Sequence, residues 1–205
     1  MPSRWFPEGP ITVRPRTGWV FLFFTMLVTV PVGIAAFVPL RSTTAAIATT
    51  ALVLTVVAYI YFVAPRVVVG EDAIRVENSW REHVVPWGAL LDVETRFSLT
   101  LVTAQGRIHA QAAPAPAGLI SRRSRPDEAA AGPPTSPPRS GPVGPGDLPN
   151  SLSGALAAVI RGHWQDLVEA GTLVPGEPAT TSPRVIHLAL TLGGSALAMV
   201  LWLLV

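Results

Sequence analysis

Residues 66–110 read RVVVGEDAIRVENSWREHVVPWGALLDVETRFSLTLVTAQGRIHA, and this stretch decides the fold. From Leu91 to Leu101 the odd positions are Leu, Val, Thr, Phe, Leu and Leu. The even ones are Asp, Glu, Arg, Ser and Thr. A period of two puts one face of a strand on a core and the other in water. Turn signals sit at Gly70-Glu71-Asp72, Asn78-Ser79 and Gln105-Gly106. The stretch predicts an antiparallel meander of about five short strands.

Working outward, the flanks are of a different kind. The chain has 205 residues, 49% of them hydrophobic and only 14% charged. Soluble domains carry about a quarter charged residues. The deficit falls in three apolar runs. Trp19–Leu40 has no charge and matches the roughly 20 residues needed to cross about 30 Å of hydrocarbon. A signal peptide would have a shorter apolar core and a cleavage site before a polar domain. Pro31 lies inside this run, where lipid tolerates a kink. Arg41-Ser42-Thr43-Thr44 then turns the chain into a second run, Ala45–Ala64, so the two form an antiparallel hairpin. The third run, Val185–Val205, is charge-free apart from His187. Trp19, Tyr59 and Tyr61 suit an interfacial aromatic belt or plain helix packing.

Between the meander and the third run lie three further pieces. Residues 111–150 are dense in Pro, Ala, Gly and Ser, with a disordered Pro-rich insert expected over 113–149. This insert holds Arg122, Arg123 and Arg125, a basic cluster suited either to anionic lipid or to a solvated linker. Ser151–Ala170 predicts an amphipathic helix. Leu152, Leu156, Val159, Ile160, Trp164, Leu167 and Val168 form its apolar stripe, with Ser153, Arg161, Gln165, Asp166 and Glu169 opposite. Asn150 or Ser151 suits its start and Gly171 its end. Residues 172–184 form a Pro/Gly/Thr linker.

Arginine placement orients the chain; there is no lysine. Arg4, Arg14 and Arg16 precede the first run, Arg66, Arg75 and Arg81 follow the second, and Arg184 abuts the third. The positive-inside rule then expects the N-terminal segment 1–18 and residues 66–184 in the cytoplasm of a multi-pass cell-membrane protein, with the C-terminus outside.

The chemistry-bearing residues are scattered. There is no cysteine, which excludes disulfides and thiol catalysis. His83, His109, His163 and His187 lack metal-site spacing. His163 reads as a polar-edge residue, and His83 and His109 as exposed strand positions. Asp92 and Glu94 share one outward face, either as a carboxylate pair or as a solvated edge. Gly193-Gly194 suits close helix packing. No cofactor, metal or catalytic residue is expected. A net charge of +2 argues against nucleic acid.

Three stretches carry a family resemblance. They are ITVRPRTGW before the hairpin, PRVVVGEDAIRVENSWREHVVPWGALLDVE, and AAVIRGHWQDLVEAG. A meander followed by an amphipathic helix with a central Trp resembles a pleckstrin-homology (PH) domain. In detail the chain resembles the actinobacterial membrane-attached PH-domain family of the low molecular weight protein antigen 6 type. Val13, Arg14 and Pro15 look like that family's lead-in to its first span. Arg66, Ile74, Val76, Asn78, Pro86, Trp87 and Val93 fall on its strand pattern, and Ile160, Arg161 and Trp164 on its closing helix.

The resemblance implies a PH-like bent antiparallel sheet or barrel over residues 66–171, capped by a C-terminal helix. With the three spans this is a membrane-anchored α+β protein. Pro86 is expected to start a strand, Trp87 to fill the barrel interior, and Trp164 to lie on Trp87 from the helix. The implied function is a non-enzymatic binding or scaffold module at the membrane with a protein partner. The other reading is a structural or accessory subunit acting through its spans. Phosphoinositide-binding PH domains resemble one another in a basic loop between their first strands. Here that loop is the acidic Gly70-Glu71-Asp72, so phosphoinositide binding is not expected. The third span is an addition to the family's simplest form.

Overall fold

The computed structural model of the chain describes residues 5–7, 9–36, 43–114, 151–174 and 176–205. The strands are β1 (Ile11–Val13), β2 (Arg66–Val69), β3 (Ala73–Glu77), β4 (Arg81–Pro86), β5 (Leu90–Glu94), β6 (Ser98–Thr103), β7 (Gly106–Pro114) and β8 (Thr180–Pro183). The helices are α1 (Gly18–Ala35), α2 (Thr44–Ala58), α3 (Leu152–Glu169) and α4 (Val185–Leu203). A π-helical turn, Tyr59–Val63, extends α2, and a 3-10 turn, Trp87–Ala89, joins β4 to β5.

The strands form antiparallel sheets followed by a helix. One sheet has the order β1-β2-β3-β4-β8 and the other β5-β6-β7. β2 alternates strictly, with Val67 and Val69 fully buried. It pairs with β3 in the register Val67↔Val76 and Val69↔Ile74, which stacks buried branched side chains on one face. At the far end of this pair Arg66 Nε donates to Glu77 Oε1 at 2.7 Å, which partners an otherwise buried carboxylate.

The chain divides into two compact units. The first comprises residues 1–13, 66–77 and 83–181. Its core joins Val67, Ile74, Val85, Trp87, Leu99, Leu101 and Ile160. α3 closes this core by packing on β5, β6 and β7. Ser151 Oγ accepts the Gly154 amide at 2.9 Å at its start. At its end Gly171 takes φ 65°, and the amides of Gly171 and Thr172 bond back to Val168 and Leu167. That is a Schellman ending, and it needs a residue that tolerates positive φ.

The second unit comprises residues 14–65, 78–82 and 182–205. Three helices in it are long and apolar enough to cross a membrane: Gly18–Ala35, Thr44–Val63 and Val185–Leu203. This is a membrane protein. α1 meets the end of α2 through Leu22, Phe62 and Val63, while other helix contacts use small residues. A Cβ at Gly194 would stand 2.9 Å from Val53 Cγ2, so only glycine lets α4 come this close to α2. Thr29 and Thr55 bond through their hydroxyls at 2.9 Å between α1 and α2. Pro31 sits within α1, which runs on to Ala35. In the same unit Arg184 Nη1 and His187 Nδ1 donate to the carbonyls of Asn78 and Ser79.

Several expectations need correction. The period-two run from Leu91 is not one strand. A bulge at Leu90/Asp92 turns Leu91 out to 60% exposure, and a turn at Thr95–Phe97 leaves Phe97 77% exposed. Two strands lay outside the expected meander: β1 in the N-terminal segment and β8 in the linker. β7 also runs to Pro114, with Ala113 fully buried, two residues into the expected insert. The rest of the insert, with Arg122, Arg123 and Arg125, lies outside the described residues, as does the Arg41-Ser42 turn.

Candidate functional site

The densest set of unusual contacts lies along α3. Its buried face is turned by about one residue from the expected stripe. Ser153, Leu156, Ala157, Ile160 and His163 are buried, while Leu152 and Val168 are about half exposed. His163 is therefore a core residue, not a polar edge. Its position was legible, because Leu156, Ile160 and His163 follow the helical i, i+4, i+7 spacing.

His163 sits between two aromatic rings. Phe6 meets it edge-on with centroids 4.9 Å apart, and Trp87 does so at 4.7 Å. Such T-shaped pairs contribute about 0.5–1.5 kcal/mol beyond their buried area. Both imidazole nitrogens are buried with no hydrogen-bond partner. Each unmet polar group costs about 1–3 kcal/mol. Trp87 meets its own polar need: its Nε1–H donates to the Gly70 carbonyl at 3.2 Å, which ties the 3-10 turn to the β2–β3 loop.

Phe6 comes from the N-terminal segment and is 2% exposed. Its neighbour Trp5 lies against α3 at Gly162. The Trp5 Nε1–H donates to Asp166 Oδ2 at 2.7 Å. A Cβ at Gly162 would run into the Trp5 ring, so the glycine is what opens the helix surface there. Arg161, on the same helix, donates to the Val93 carbonyl of β5. Trp5, Phe6, Gly162 and Asp166 did not stand out as site residues in the sequence. The available signal was an adjacent Trp-Phe pair in an otherwise polar, Pro-rich segment.

The other candidate residues lie apart from this slot. Pro86 ends β4 instead of starting a strand. Its φ of −57° and ψ of 151° lead into the 3-10 turn, where a missing N–H costs nothing. His163 meets the Trp87 ring edge-on, and Trp164 packs against the same core cluster. Trp164 is half-buried against the core, with its Nε1 buried and unpartnered. Glu71 and Asp72 are exposed in the β2–β3 loop. His83 Nδ1 pairs with Thr181 Oγ1 at 2.8 Å, and His109 Nδ1 with Thr100 Oγ1 at 2.9 Å. Asp92 Oδ1 accepts its neighbour's amide, and Glu94 pairs with Arg107 at 3.1 Å. Among the described residues no three His, Asp or Glu side chains gather as a metal-binding group.

Residues 64–132 match the family described as Bacterial PH domain. This segment carries a bacterial PH domain. The match begins at the end of the second span and reaches past β7, so it takes in β2 to β7 and stops before α3. No curated protein and no solved structure matches the chain. The chain is thus a membrane-associated protein with a PH domain.

Proposed function

We propose that this chain is a membrane-anchored, non-catalytic binding module whose PH domain displays a surface to a protein partner in the cytoplasm. The observation that carries this reading is the slot on α3. It already holds a short aromatic segment through side chains, which is how a binding module grips a peptide. The arginines flanking the spans favour a cytoplasmic N-terminus and PH domain with the C-terminus outside. The acidic Glu71-Asp72 loop disfavours phosphoinositides, since an anionic headgroup would be repelled there. Arg122, Arg123 and Arg125 would add a lipid contact of about 1 kcal/mol each near an anionic surface.

The rival reading, an accessory subunit working through its spans, draws on the exposed apolar side of α4, where Ile186 and Leu192 are 74% and 68% exposed. Capture experiments with the tagged full-length protein in mild detergent separate the two. A partner lost on substitution in the α3 slot, Asp166→Arg, and kept on Leu192→Ala supports the PH-domain reading. The opposite pattern supports the spans.

A further inference from the structure

We infer that Trp5-Phe6 is a removable plug, and that the slot beneath it takes a partner's segment with an indole followed by a second aromatic ring. The inference rests on the binding-module reading above and names its ligand class.

The first support is how the plug is held. Neither Trp5 nor Phe6 belongs to a strand; ladder pairing begins only at Ile11. The segment turns on itself, with the Gly9 amide donating to the Phe6 carbonyl at 3.2 Å. Side chains hold it on the domain, among them the Phe6 ring in the buried aromatic seam and the Trp5 indole on Asp166.

The second support is that α3 is cut to receive this pair. Gly162 is a weak helix former in a helix interior, yet a side chain there would strike the Trp5 ring. Asp166, one turn on, offers its carboxylate to the indole N–H. A closing helix that needed only to pack would gain nothing from either residue.

The third support is His163. Its two nitrogens are buried without partners, in a ring that Phe6 and Trp87 both meet edge-on. Burying an unpartnered polar nitrogen costs free energy that contact with water would relieve. The plug is therefore seated at a cost that its departure relieves. An incoming segment that matches the two rings and also brings a polar group to His163 would displace it. That defines the partner: an indole donor for Asp166, a ring for the Trp87–His163 seam, and an acceptor or donor beside it.

Two experiments on the full-length protein in detergent micelles test this. In hydrogen exchange of the wild type, the amides of residues 5, 6 and 9 should exchange at least about tenfold faster than those of β2 and the centre of α3, as a locally opening segment does. Equal protection overturns the inference. In the second, a labelled peptide of residues 1–10 is titrated into wild type and into the double variant Trp5→Ala/Phe6→Ala. Binding should be at least about tenfold tighter to the double variant, whose slot is vacant, and should be lost again on adding Gly162→Leu. Equal binding to both proteins, no binding to either, or unfolding of the double variant overturns the plug. The peptide is the chain's own, so failure here counts against the plug and leaves partner capture to be judged separately.

Discussion

The two units of this protein differ in which side chains they mostly bury. In the PH-type unit the large branched side chains are inside: Val67, Ile74 and Leu101 are fully buried. In the helical unit they are outside, with Phe23 62% and Leu192 68% exposed. What that unit buries is mostly small, Ala46, Ala51, Ala58, Ala198 and Thr29, with Leu22, Ile60 and Val63 as the larger exceptions where α1 meets the end of α2. One chain thus follows two rules. Water drives large apolar groups inward. Lipid offers them no such incentive, so helices meet through alanine, glycine and threonine. The contrast shows that each unit is built for a different solvent.

The contrast can be broken most forcefully in the water-built core. Trp87→Ala removes a ring that is 4% exposed and that holds both Gly70 and His163. It should cost about 3–5 kcal/mol in thermal or denaturant unfolding. Trp164→Ala should cost less, because that ring is only half-buried. Equal losses at the two positions would show that the helix, and not the seam, dominates the core.

A charge tests the other solvent. Leu192→Arg, near the middle of α4, should weaken membrane insertion by about 2.5–3.5 kcal/mol, read as the inserted fraction in a translocon assay. The same change at Phe97 should leave stability within about 0.5 kcal/mol, since that side chain is already in water. Helix packing is the next lever. Gly194→Val forces a side chain against Val53 and should cost about 1–3 kcal/mol in detergent unfolding. The smallest effect belongs to Thr29→Val, which deletes the hydroxyl pair with Thr55 and should cost about 0.6 kcal/mol.

The sequence was most legible where one physical signal acted alone. The spans follow from length and lack of charge. The turns at Gly70–Asp72 and Gln105–Gly106 follow from residues that tolerate tight backbone; Gly106 takes φ 136°. The helix ends follow from Ser151 and Gly171. It was least legible where tertiary pairing overrode local pattern. β8 is exposed at all four positions and carries no apolar alternation. β1 has three residues, too few to show a period. The bulge at Leu90/Asp92 shifts register, which period-two reasoning cannot anticipate. The α3 slot was hidden for a related reason. Trp5 and Asp166 are 161 positions apart, and only folding brings them together.

The proposed topology, a cytoplasmic PH domain and spans that face lipid, is open to direct test. The absence of cysteine makes the natural chain a ready background for labelling. Phe97→Cys and Leu192→Cys would each be exposed to a membrane-impermeant maleimide, first in intact cells and then in inverted membrane vesicles. Neither variant should label in intact cells. In the vesicles Phe97→Cys should label fully, and Leu192→Cys should stay unlabelled until detergent dissolves the membrane. Labelling of Phe97→Cys in intact cells, or of Leu192→Cys in vesicles before detergent, would contradict that topology.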